Sequence, residues 1–180
     1  MTINRIGLFP GTFDPVTLGH LDLIKRSSKL VSTLIIGVAK SYKKEPFFDI
    51  TERVKMVESE VKNLQLNNVK VSSFDNLLAD FATEIKASIV FRGLRAVADF
   101  EYEYQMVGMN KTLNADLETI FLMSDTDTQF ISSELVKEVA KLGGDLSSFV
   151  TDDISKAIKN KLSNEGWLLY FWSTRKTNCN

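Results

Sequence analysis

The sequence predicts an α/β domain built on a doubly wound, five-stranded parallel sheet. Short β-branched or aromatic runs alternate with stretches of helical periodicity along nearly the whole chain, the order that gives parallel strands joined by crossover helices. Thr33–Ala39 is almost uninterruptedly apolar, as a strand covered on both faces must be. The 180 residues contain no internal repeat and no long Gly/Ser/Pro linker, so one core fits and a boundary inside it has nowhere to sit.

Ile6–Phe9 makes the first strand, and Pro10 and Gly11 turn the chain toward a helix read from Leu21, Leu23 and Ile24 to about Leu30. After the second strand, Thr33–Ala39, Asp49 stands three residues before Glu52 in a capping-box spacing, and Val54, Val57 and Val61 continue at helical intervals. Val69–Phe74 is the third strand, with Asp75 placed to cap a helix bearing Leu78, Phe81, Ala82 and Ile85. Ser88–Phe91 follows as the fourth, then a helix from about Ala98 to Leu113, then Glu118–Met123 as the fifth. Ser132 or Ser133 opens a helix through Leu142 that Gly143 and Gly144 close, and Thr151 caps a last one to about Leu162. The domain so read spans 1–163. Residues 164–180 differ in texture, an aromatic block Trp167–Trp172 and then a polar tail, suited either to covering a core patch or to meeting another subunit or partner.

Composition narrows the function. Lys and Arg total 22 against 23 for Asp and Glu, a net charge of −1, so no global positive field gathers nucleic acid or acidic lipid and any bound anion needs a local site. The one cysteine, Cys179, has no intrachain partner, which excludes a disulfide framework and a cysteine zinc site and points to the cytoplasm. The N-terminal apolar stretch is too short for a signal peptide, and Trp167–Trp172 is far short of a membrane span.

Four loops follow strands and so converge on the carboxyl rim of one sheet, where doubly wound folds bind ligands. The first holds Gly11, which lets backbone approach an anion, Thr12 with its amide and hydroxyl, and Gly19 and His20 at a helix start, where unpaired amides favour phosphate. It is neither a Walker-type phosphate loop nor a G-x-G-x-x-G fingerprint. His20, the only histidine, is placed to donate to a phosphate oxygen, its protonation state open. The second loop carries Arg92 and Arg95, suited to fork phosphate oxygens or to pair with Asp99, Glu101 or Glu103. The third is the basic run Lys40–Lys44, a solvated turn unless Lys43 or Lys44 reaches a phosphate. The fourth, Thr128–Leu135, offers hydroxyls and amides to a triphosphate, or simple helix capping.

Three blocks in these loops, from Pro10 to His20, from Arg92 to Glu103 and from Phe130 to Val139, closely resemble the bacterial phosphopantetheine adenylyltransferases of the nucleotidylyltransferase superfamily, over about Arg5–Leu162. Thr17, where much of the superfamily has a histidine, is similar to the pantetheine branch. The resemblance implies a Rossmann-like nucleotidylyltransferase fold and the transfer of an adenylyl group from ATP to 4′-phosphopantetheine, giving dephospho-coenzyme A and pyrophosphate, with Mg²⁺. It implies His20, Lys44 and Arg92 as catalytic residues. It assigns Thr12, Phe13, His20, Gly93, Leu94, Arg95, Glu103, Thr128, Gln129, Phe130, Ile131, Ser132, Ser133 and Glu134 to ATP, and Thr12, Lys44, Leu78 and Arg92 to the acceptor, with no residue ligating a metal. It further implies a homohexamer and feedback binding of coenzyme A. Leu18, Thr128 and Glu134 depart from the residues common in the family. Because the acceptor phosphate is already an anion, no general base is required, and the site must supply cations and alignment. Two other readings fit the same loops: a nucleotidylyltransferase with another acceptor, such as nicotinate mononucleotide or glycerol phosphate, and a nucleotide sensor without turnover.

Overall fold

A computed structural model describes residues 5–40, 46–95 and 97–164, without the side chains of 97–99. Lys43, Lys44, Cys179 and the tail from 165 onward lie outside the described residues.

Strands β1 (Ile6–Gly11), β2 (Thr33–Ala39), β3 (Val69–Phe74), β4 (Ile89–Leu94) and β5 (Glu118–Met123) form one sheet in the order β3-β2-β1-β4-β5, every neighbouring pair parallel. The helices are α1 (Leu18–Ser28), α2 (Ile50–Asn63), α3 (Leu78–Glu84), α4 (Val97–Leu113), α5 (Ser133–Lys141) and α6 (Asp152–Asn164). The central strands β1 and β4 are mostly buried, while edge strands β3 and β5 are only half-buried, which explains why the apolar runs are purest in the middle of the sheet. Successive side chains point to opposite faces. Phe9, Ile36 and Phe91 therefore join the larger core with α1, α2, α5 and α6, while Leu8 and Val90 join a smaller one with Phe81 and Ala82 of α3.

The chain winds outward from β1 through β2 to β3 and then returns to β4 on the other side of β1, so the strand order reverses between β1 and β4. There the sheet parts. β1 pairs with β4 only at Gly7↔Ile89 and Leu8↔Val90, whereas β1 stays paired with β2 through Gly11↔Val38 and β4 with β5 through Leu94↔Met123. The gap opens a crevice at the carboxyl ends of the two central strands, the expected ligand position in this topology.

Several local expectations hold and several shift. The Asp49/Glu52 capping box forms, each side chain accepting from the other residue's backbone N–H at 2.8 Å. The Gly143–Gly144 closure is a Schellman motif: Gly143, at φ 72°, donates to Ala140 O and Gly144 to Val139 O. Ser132, rather than Ser133, caps α5 by accepting from Leu135 N at 3.1 Å. Thr151 precedes α6, but its hydroxyl donates to the buried Glu60 at 2.7 Å. Helix α1 starts earlier than read, at Leu18, because Thr17 caps it. Asp75 does not cap α3, which begins after Leu77 with no side-chain cap. Arg92, Gly93 and Leu94 belong to β4 and not to the loop beyond it, because β5 continues to pair with them. Helix α6 is described through Asn164.

The Asp49 box sets the first turn of α2. Asp49→Ala is expected to lower unfolding free energy by about 1 kcal/mol, read as a lower urea midpoint with an unchanged m-value.

Candidate active site

The crevice holds a cavity of about 500 Å³, within the range of small-molecule sites. Its polar lining includes Thr12, His20, Arg92, Arg95, Ser132 and Ser133. Phe74, Leu78 and α4 also line it, the helix with Tyr102, Met106 and Asn110 at successive four-residue intervals. Asn110 is buried, 8% exposed, and borders the cavity.

His20 is the third residue of α1 and closes a capping box with Thr17. The Thr17 backbone N–H donates to His20 Nδ1 at 3.1 Å, the Thr17 hydroxyl lies 3.0 Å from the same nitrogen, and Thr17 Oγ1 accepts from His20 N at 3.4 Å. A backbone N–H can only donate, so Nδ1 is the acceptor and the hydrogen-bond pattern assigns the ring proton to Nε2. Nε2–H finds no acceptor among the described residues, and the residue lines the cavity. Removal from bulk water lowers the imidazole pKa from 6.5 to about 4, with the positive charges of Arg95 and then Arg92 acting in the same direction. The helix start disfavours a cation there as well. The protonation state that the sequence leaves open is thus neutral at physiological pH, with the ring proton on Nε2.

Phe13 explains how the loop holds this shape. It adopts a left-handed φ of 49°, is 1% exposed and meets the His20 ring edge-on at 5.1 Å. A Cβ on Gly11 would come within 3.0 Å of the Phe13 ring. Gly11, read from the sequence as allowing close approach by an anion, lines the cavity, and its lack of a side chain also leaves room for Phe13. Phe13 itself supports the site from behind and is not on the cavity wall.

Arg92 and Glu103 form a two-pronged pair. Arg92 Nε donates to Glu103 Oε2 at 2.7 Å, Nη2 donates to Oε1, and Nη1 reaches across the split in the sheet to Pro10 O at 3.1 Å. This is the Glu103 pairing weighed against phosphate binding, yet both residues line the cavity, and three contacts leave part of a five-donor guanidinium for a ligand. Leu78, Gly93, Thr128 and Ile131 also line it. Leu94, 8% exposed, Gln129 and Phe130, 77% exposed, do not. Glu134 turns outward, its carboxylate 69% exposed and 3.2 Å from Lys137. Leu18 packs on the core and donates its N–H to Phe149 O, so its departure from the motif is a packing choice. Lys44 lies outside the described residues.

A buried arginine escaped the sequence reading. Arg53, 1% exposed, donates from Nη1 to Thr12 O at 2.6 Å and Ala39 O at 2.8 Å, and from Nε to Phe48 O at 3.0 Å. Burial pushes its pKa down while Asp14 and Asp49 oppose that shift. The signal was present: Arg53 shares the inward face of α2 with Val57 and Val61, where a charge needs a partner. Tyr102, Met106 and Asn110 gave no such signal, since helical spacing alone does not separate a cavity wall from a core face.

The pKa of His20 predicts a pH effect with a definite sign. Above pH 6.5 folded and unfolded chains both hold the ring neutral; as pH falls from 6.5 toward 4 only the unfolded chain gains the proton. Stability is therefore lost on acidification across that window, on the order of 3 kcal/mol from this residue. In the ligand-free protein the single histidine Cε1–H resonance is expected to titrate near pH 4; a midpoint near 6.5 contradicts the buried-neutral assignment.

Residues 8–139 match the sequence signature of the cytidylyltransferase-like family. A phosphopantetheine adenylyltransferase of Cereibacter sphaeroides is 58% identical over 159 residues, covering 87% of this chain and 98% of that protein. One from Roseobacter denitrificans is 52% identical over 165 residues, covering 90% and 99%. In fold, the chain is similar to the nicotinic acid mononucleotide adenylyltransferase of Plasmodium falciparum, with a TM-score of 0.65 at 12% identity, covering 91% of this chain and 96% of that one. With motif, topology and cavity in agreement, the chain belongs to the phosphopantetheine adenylyltransferases within the cytidylyltransferase-like family.

Proposed function

We propose that the cavity joins ATP to 4′-phosphopantetheine, releasing pyrophosphate and dephospho-coenzyme A, the penultimate step of coenzyme A synthesis. The observation that carries this reading is the mixed lining: a neutral imidazole N–H, two arginines and a helix start, together with Phe74, Leu78, Met106 and one buried amide. The first set suits a triphosphate and an attacking phosphate. The second set suits the long, amide-bearing arm of pantetheine, with Leu78, Met106 and Asn110 along its path. A nicotinate acceptor would place a carboxylate among those apolar residues, which fits it less well.

In this reading an oxygen of the acceptor phosphate attacks the α-phosphorus in line and pyrophosphate leaves, with no covalent intermediate. Near neutral pH the acceptor is largely dianionic, so the barrier lies in bringing two anions together and aligning them. His20 Nε2–H, the first amides of α1 and Arg95 receive charge building on the α-phosphate. Arg92, aimed by Glu103, and Lys44 hold the acceptor phosphate. Thr12 sits between the two substrates, and the Thr128–Ser133 segment with the amide before Glu134 holds the β- and γ-phosphates. No group of three or more His, Cys, Asp or Glu able to hold a metal exists among the described residues, and the carboxylate lining the cavity, Glu103, is taken by Arg92. That donor set fits Mg²⁺ carried in on the nucleotide phosphates, its usual mode, and the cavity-lining hydroxyls of Thr12 and Ser132 would orient it. Bound this way, Mg²⁺ supplies neutralisation of triphosphate charge.

The homohexamer finds support in an exposed aromatic cluster, where Phe100 of α4 meets Phe121 of β5 edge-on at 5.8 Å beside Tyr104, 66% exposed. Coenzyme A shares the adenine and pantetheine parts of the reaction product, so feedback binding would use the same cavity. Among the described residues no helix is long and apolar enough to cross a membrane, and we place the reaction in the cytoplasm.

Purified protein with ATP and Mg²⁺ is expected to release pyrophosphate only when 4′-phosphopantetheine is added, with dephospho-coenzyme A identified by mass; release with nicotinate mononucleotide instead would replace this acceptor. His20→Ala should keep ATP binding and lose about 10²–10³ in kcat, equal to about 3–4 kcal/mol of transition-state stabilisation.

A further inference from the structure

Asp14, in the loop after β1, and Lys137, on α5, come from two different motif blocks, and neither lines the cavity. Their side chains are nearly buried, 9% and 16% exposed, with Lys137 Nζ donating to Asp14 Oδ2 at 3.0 Å. Lys137 Nζ also lies 3.2 Å from Glu134 Oε2. The same Asp14 carboxylate accepts from two backbone N–H groups on a third segment, Phe47 at 2.9 Å and Phe48 at 2.8 Å. One ammonium on α5 thereby connects the loop after β1 to the described end of the β2–α2 connection.

A buried ion pair adds little net stability, because desolvation offsets most of the attraction. Its effect is geometric. Asp14 lies two residues after Thr12, and the connection it grips follows Ala39, the last residue of β2, which lines the cavity with Thr12. Arg53 ties the same pieces from below, through the carbonyls of Thr12, Ala39 and Phe48, and Ser133 Oγ donates to Pro15 O at 2.7 Å. Of these contacts only Lys137 supplies a formal positive charge in ion-pair contact with Asp14. Without it the carboxylate keeps two amide donors and has a reason to turn toward water, taking Phe47 and Phe48 with it.

We propose that Lys137 is a positioning residue for adenylyl transfer, acting through Asp14 to hold the β2–α2 connection against Thr12. This deepens the function proposed above and rests on it. Because Lys137 stands behind the cavity wall, its loss should disturb the acceptor's placement and not the binding of ATP.

The test uses the full chain carrying Lys137→Met or Lys137→Arg. Lys137→Met is expected to lower kcat/KM for 4′-phosphopantetheine about 10–100-fold, the cost of a misplacement near 1 Å, with the ATP dissociation constant unchanged. Lys137→Arg keeps the charge and should recover most of that loss. Amide exchange should quicken at Phe47 and Phe48 in Lys137→Met while β1 keeps its protection. Unchanged kinetics, unchanged exchange at Phe47 and Phe48, an equal loss of ATP affinity, or faster exchange throughout the chain each overturns the proposal. If the unaltered chain releases no pyrophosphate with this acceptor, the function above fails by itself. Exchange at Phe47 and Phe48 then still decides whether Lys137 holds the tether.

Discussion

Parallel strands that separate before their carboxyl ends leave backbone groups facing a gap, and those groups need polar partners. In this chain β1 and β4 separate after Leu8 and Val90 while each remains paired to its outer neighbour. Arg92 Nη1 answers by donating to Pro10 O across the gap. The crevice, its mixed lining and the convergence of the strand-end loops all depend on this split. A continuous β1–β4 ladder would fill the space that the cavity occupies.

The charges around the crevice are arranged so that the imidazole does not compete for a proton. Arg92 and Arg95 raise the local potential and the ring is taken out of water, so His20 stays neutral with its pKa near 4. Thr17 then fixes which nitrogen carries the hydrogen. The result is a directed donor whose charge state does not vary through the physiological range. Arg92 is held in place by the opposite sign, its guanidinium gripped by Glu103. Arg92 is thus immobilised by a partner at the cavity's edge, which limits reorganisation when an anion arrives.

Behind the wall, Arg53 and Asp14 do for the backbone what Glu103 does for Arg92. Each joins segments distant in sequence through several hydrogen bonds, and each is almost fully buried. Asp14 sits inside the first motif beside Thr12 and His20, yet it does not line the cavity, and its carboxylate is held by Phe47, Phe48 and Lys137. A motif residue can therefore hold the loop while the residues beside it line the cavity.

Strand and helix order, the parallel sheet, the α2 capping box and the placing of His20 at a helix start were legible because they depend on local periodicity and on which end of a strand a loop follows. Thr12, Arg92, Arg95 and Ser132 were legible for the same reason. Phe13, Phe130 and Glu134 were assigned to ATP by their place in the motif, and the cavity wall lacks all three, because loop order does not say which way a side chain turns. The neutral state of His20, the choice of Glu103 among the carboxylates open to Arg92 and the Asp14–Lys137 pair were hidden, the last two joining residues 11 and 123 positions apart. Burial and charge pairing arise only when distant segments pack together, so folding in three dimensions had to settle them.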